Sequence, residues 1–176
     1  MDGPNEELHE LNFYIQRNIR YHMRRAAFFL YWGRVTAFIG VIFGSATVTS
    51  LLASSPPWVT GGAALIVTLA SATDLVAGTA DRAWLHNDLR KRYLEIEAEM
   101  IAENTETQLS KVRQYRSEIR RIEADEPPTL PALELLAMND VIRSMYPKEK
   151  AEKLVSNLPW IKRVSAQWFH WDTSKA

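Results

Sequence analysis

The side chains best placed to do chemistry in this sequence are a carboxylate, Asp74, set in an otherwise apolar run, and four histidines, His9, His22, His86 and His170. A carboxylate in such a run can hold a proton, pair with a cation or line a water-filled path. The histidines lack the close spacings by which imidazoles share a metal ion, and no H-E-x-x-H pair occurs. Glu95 and Glu99 stand four residues apart, but Arg92 beside them favours a solvated, charge-compensated face over an acid–base pair. The absence of cysteine excludes thiolate metal sites, a cysteine nucleophile and disulfides. Glycine-rich phosphate loops and G-x-S-x-G are also missing. Together these features predict a chain that is not an enzyme and uses no cofactor or metal.

Nucleic acid is not an expected partner either. The 21 basic and 21 acidic residues balance, so no global field attracts a polyanion. The basic run "VRQYRSEIRR" carries a glutamate and helical spacing, which suits a mixed-charge surface.

What surrounds Asp74 sets its chemistry. From Val35 to Ala80 there is no lysine or arginine, and Asp74 is the sole acid. Two apolar blocks, 35–53 and 59–80, each approach the ~20 residues that cross a bilayer as a helix. Between them "SSPPW" (54–58) carries two prolines, which stop a helix and favour a tight reversal. The pattern predicts an all-α membrane protein, a two-helix transmembrane hairpin with long cytoplasmic helical extensions that form a bundle. The competing reading is a buried helical hairpin of a soluble protein. Arg17, Arg20, Arg24, Arg25 and Arg34 precede the first block, and Arg82, Arg90, Lys91 and Arg92 follow the second. The positive-inside rule then places both termini in the cytoplasm and the loop outside. Tyr31, Trp32, Trp58 and Trp84 are the expected anchors at the membrane interfaces.

Within the spans, small residues mark the faces that allow helices to approach closely. Gly33, Ala37, Gly40 and Gly44 fall on one stripe of the first helix, expected to pack against the second span or against another copy. Steps of three and four from Asp74 reach Ala63, Val67, Ala70, Ser71, Ala77, Gly78 and Asp81, a face of small and weakly polar residues. Leu65, Ile66, Leu69 and Val76 lie opposite. Asp74, Ser71, Ala70, Gly78 and Asp81 are therefore the candidates for lining a pore or gate. The competing role for Asp74 is structural, as a cap or an ion-pair partner near the cytoplasmic boundary.

The flanks read as helices. Residues 1–34 carry Leu8, Leu11, Ile15, Ile19 and His22 at helical spacing, leading into the first span. In 81–126 the stripe is Leu85, Leu89, Tyr93, Ile96 and Met100, then, after a lapse at "ENTETQ", Val112, Tyr115, Ile119 and Ile122. Thr105 and Gln108 are candidates for capping a new helix there. After the turn "DEPPTLP", residues 132–176 are expected to form a C-terminal helical region, the place for a regulatory or assembly element. Its tail, "WIKRVSAQWFHW", bears an aromatic stripe, expected to pack on the bundle or to lie among lipid headgroups.

This layout, with "YWGRVTAFIG" entering one span and "TADRAWLHNDLRKRYLEIEAEM" leaving the other, resembles the SLATT family over residues 8–125. The resemblance implies a bacterial effector that forms homo-oligomers and permeabilises the inner membrane in antiviral defence. It also implies a trigger from a separate activator protein or second messenger, since the chain carries no nucleotide-sensor domain. A membrane-anchored scaffold, whose cytoplasmic bundle recruits a partner, is the alternative.

Overall fold

The computed structural model describes residues 4–54 and 56–173. Residues 1–3, Ser55 and 174–176, parts of the segments 1–34, 54–58 and 132–176, lie outside the described residues. Every regular element among the described residues is a helix: α1 (Pro4–Leu52), α2 (Pro57–Ala77), α3 (Thr79–Ala102), α4 (Thr105–Glu123), α5 (Pro131–Met145), α6 (Lys148–Leu154) and α7 (Trp160–Val164). The chain divides into two compact units, Met1–Arg25 with His86–Ala176, and Ala26–Leu85.

The first unit is built on three apolar stripes. Leu8, Leu11, Ile15, Asn18 and His22 are buried on α1, His86, Leu89, Tyr93, Ile96 and Met100 on α3, and Val112, Tyr115, Ile119 and Ile122 on α4. Each series alternates steps of three and four residues, the spacing that keeps one face of a helix on a shared core. Burying a large apolar side chain contributes about 1.5–3 kcal/mol, so these stripes hold the helices together. On α1 the fourth position of the stripe is Asn18 rather than Ile19, which is half-buried.

The lapse at "ENTETQ" is a true break between α3 and α4. Asn104 caps α4, its side chain accepting the Thr107 N–H at 2.9 Å. Gln108 faces backwards, and its amide donates to the Met100 carbonyl at 2.6 Å and the Glu103 carbonyl at 3.1 Å. It therefore satisfies carbonyls that the end of α3 leaves open, while the α4 cap is Asn104 and not Thr105.

Beyond the proline turn, α5 adds a second core, in which Tyr21 packs with Ala132, Leu133, Ala137, Leu158 and Ala166. The Tyr21 hydroxyl also accepts the Leu130 N–H at 3.1 Å, pinning the start of α5. Buried Asn139 exchanges two hydrogen bonds with the Ser156 backbone, at 2.8 and 3.0 Å, and so fixes the chain between α6 and α7. Arginines of α1 hold the same region. Arg17 pairs with Glu134 at 3.1 Å, Arg20 donates to Ser144 at 2.7 Å, and Arg24 pairs with Asp140 at 2.5 Å.

Candidate functional site

In the second unit, two helical faces turn away from solvent. On α1 the buried or half-buried series is Ala26, Phe29, Gly33, Thr36, Gly40, Phe43, Thr47 and Ser50; on α2 it is Thr60, Ala63, Val67, Ala70, Asp74 and Ala77. Both again alternate three and four. Leu65, Ile66, Leu69 and Val76 are exposed, on the opposite side of α2. Two contacts tie the unit: Ser50 Oγ lies 2.7 Å from Thr60 Oγ1, and a Cβ placed on Gly33 would stand 3.2 Å from Thr79 Oγ1.

The small-residue stripe of α1 is only partly engaged. Gly33 meets Thr79, Ala37 is exposed, and a Cβ at Gly40 or Gly44 would meet nothing within 4 Å. Ala37 lies to one side of the half-buried series, while Gly40 and Gly44 are half-buried beside open space.

Asp74 sits beside a break that the 59–80 span did not anticipate. α2 ends at Ala77, and Gly78 adopts a left-handed conformation (φ 54°, ψ 47°) with its N–H donating to the Asp74 carbonyl at 2.9 Å. Glycine takes this conformation without the Cβ clash that penalises other residues. The chain restarts as α3, where the buried Thr79 hydroxyl donates to Asp74 Oδ1 at 2.5 Å. The half-buried Asp74 carboxylate thus bridges the two helices across Gly78. Of the other pore or gate candidates, Ala70 and Gly78 are half-buried, while Ser71 and Asp81 are exposed. Asp81, in the first turn of α3, complements the positive end of that helix. Among the interface anchors, Tyr31, Trp58 and Trp84 are exposed and Trp32 is half-buried.

The first unit contains a polar cluster inside its core. His22 Nδ1 lies 3.0 Å from His86 Nδ1, and both rings are almost fully buried. His22 Nε2 lies 3.2 Å from Glu126 Oε1, which also accepts the Tyr93 hydroxyl at 2.7 Å. Tyr93 stacks on His22 with ring centres 5.8 Å apart, and Tyr21 meets His22 edge-on. A hydrogen bond between two Nδ1 atoms needs one N–H and one lone pair, so this contact accommodates one proton and not two. Burial pushes the Glu126 carboxyl up, but hydrogen bonds from His22 and Tyr93 outweigh it and hold the group below the ordinary glutamate value. Burial, then the bond to Glu126, pushes the Tyr93 hydroxyl far up, so it stays a donor. The cluster is a buried proton-holding network whose acceptor is an ionised carboxylate.

Spacing along the chain hid this cluster, because His22 and His86 are far apart in sequence. The signal was present nonetheless: each occupies a core position of its helix's three-four series, and Glu126 lies four residues beyond Ile122. Among the described residues no group of three or more His, Cys, Asp or Glu is arranged to hold a metal ion.

Comparison with protein-family models, with curated proteins and with solved structures finds no match. Function must therefore be argued from the geometry of this chain.

Proposed function

We propose that the chain is a homo-oligomeric inner-membrane protein of pore-forming or channel-like type, an effector resembling the SLATT proteins of bacterial defence. One observation carries this reading. Two helices are long and apolar enough to cross a membrane, yet only 17% of the apolar window of the first and 6% of the second are buried. A core helix of a soluble protein buries such a window. Here Phe38, Val41, Ile42, Leu65, Leu69 and Leu75 are left exposed, and each would forgo about 1.5–3 kcal/mol by remaining in water. Hydrocarbon removes that cost.

The other features fit the same arrangement. The Ser50–Thr60 and Gly33–Thr79 contacts suit an antiparallel hairpin, with arginines flanking both cytoplasmic ends. Gly40-x-x-x-Gly44 leaves room for the close approach of a second copy. Paired spans from several copies would surround an axis, and a separate activator or second messenger would trigger opening. The test is ion or dye flux through liposomes containing the purified protein, with the subunit count of the same particle.

A membrane-anchored scaffold is the second reading, favoured by exposed Trp160 of α7 and exposed Trp168 and Phe169 beyond it. It requires no flux, and its function would survive replacement of residues 35–80 by an unrelated hairpin.

A further inference from the structure

Of the two places expected for the C-terminal aromatic stripe, the bundle and the headgroup layer, the bundle accounts for only part of it. Leu158 and Ala166 are buried and Trp171 half-buried in the core built on Tyr21 and α5. Trp160, Ile161, Val164, Trp168 and Phe169 are each more than half exposed. An apolar patch of this kind marks an interaction surface.

Two features indicate what covers it. The first is position. The Gln167 amide donates to the Arg24 carbonyl at 3.3 Å, and Arg25 Nη1 donates to the Gln167 carbonyl at 2.9 Å. The tail is therefore tied to α1 at Arg24–Arg25, and the next residues of that helix are the apolar run "AAFFLYW" (26–32). The second is composition. Lys162 and Arg163 stand on α7 between these apolar residues, Lys162 half-buried with its amine donating to the Asp172 carbonyl at 2.7 Å and Arg163 exposed, and no acidic residue occurs from Trp160 to Trp171. Tryptophan and phenylalanine beside basic residues suit the headgroup layer of an anionic membrane, where a ring is half in hydrocarbon and a cation meets phosphate.

We propose that α7 and the Trp168–Phe169 turn form an interfacial anchor that lies in the headgroup layer of an anionic lipid surface. This rests on the reading of α1 and α2 as membrane spans. The anchor would hold the C-terminal region against the bilayer.

The chain has no cysteine, so single labelling sites are unambiguous. Trp160→Cys and Phe169→Cys, each carrying an environment-sensitive fluorophore, are compared in proteoliposomes with Leu69→Cys on α2 and with Glu149→Cys, exposed on α6. The expected result is hydrocarbon emission at 69, aqueous emission at 149, and interfacial emission at 160 and 169. Protection of 160 and 169 from an aqueous quencher should be several-fold over 149, greater with phosphatidylglycerol than with phosphatidylcholine alone, and weakened by Lys162→Glu with Arg163→Glu. Emission at 160 and 169 as aqueous as at 149, with 69 in hydrocarbon, overturns the anchor and leaves the spans standing. Equal protection with phosphatidylcholine alone and with phosphatidylglycerol, unchanged by Lys162→Glu with Arg163→Glu, removes the anionic surface as the occupant and also overturns it. An aqueous signal at 69 removes the spans and the anchor together.

Discussion

His22 and His86 meet Nδ1 to Nδ1 at 3.0 Å in the core of the first unit, and Glu126 takes the far side of His22. An apolar residue in place of His22 takes one hydrogen-bond partner from Glu126, which keeps Tyr93, and the Nδ1 contact from His86. His22→Ala should cost the unit about 2–3 kcal/mol, from the lost hydrogen bonds and the lost packing of a buried ring. Chemical denaturation of the full chain in detergent, followed by circular dichroism, measures this. A loss under 0.5 kcal/mol, on the order of a surface change, would show that the cluster is not cohesive.

The same cluster sets a response to acid. The folded-state pKa of Glu126 is lowered, so its contribution to stability is fully present above the unfolded carboxyl value, about 4.3. It is lost as pH falls below that value through the lower folded one. Glu126→Gln should therefore be less stable than the parent at pH 7 and should lose less on acidification to pH 3. Parallel acid-limb stabilities for the two proteins would contradict this.

Asp74 and Thr79 separate a structural role from a conducting one. Thr79→Val removes the donor to a carboxylate and should cost about 1.5–3 kcal/mol in thermal or chemical melts. Asp74→Asn keeps an acceptor for the Thr79 hydroxyl and removes the negative charge. If the charge lines a conducting path, Asp74→Asn alters ion selectivity while the particle assembles normally. Unchanged selectivity with a destabilised Thr79→Val would leave Asp74 as the bridge across Gly78 alone.

The glycines of α1 and α2 should respond differently to substitution. Gly78→Ala forces a Cβ into the left-handed region at about 1–2 kcal/mol. Gly33→Ala crowds Thr79. At Gly40 and Gly44 an added Cβ meets nothing within 4 Å in one copy, so Gly40→Leu and Gly44→Leu should cost the fold little and reduce the oligomer, read by mass photometry in detergent. An unaltered subunit count would remove that face from assembly.

Asn139 pins the chain ahead of α7 through two hydrogen bonds to Ser156. Asn139→Ala should destabilise by about 1–3 kcal/mol. Protease cleavage between α6 and α7 should rise in the variant, and an unchanged cleavage rate would count against the pin.

How far the sequence anticipated this structure differs from element to element. The all-helical class and the two long apolar helices follow from run length and missing charge, which are local properties. The half-buried face of α2 was equally readable, because Ala63, Val67, Ala70 and Ala77 are small and regularly spaced. Gly78 was not, since one glycine in a run of small residues gives the same pattern whether it packs or breaks the helix. The histidine cluster escaped because it joins α1, α3 and the segment just after α4, and only the fold brings them together. Asn18 displaced Ile19 from the core through the rotation of α1, which hydrophobicity alone misassigns. The exposed side of α7 depended on which residues α5 and Tyr21 claimed.

The central claim is that this chain assembles in a bilayer and opens a path through it. Its most direct test is flux of a small ion through liposomes reconstituted with the purified full-length protein at known subunit count. The account predicts flux that scales with the number of oligomers per vesicle and falls with Gly40→Leu. Tight liposomes containing correctly inserted, oligomeric protein, whatever the ion, lipid or added activator tried, would contradict it.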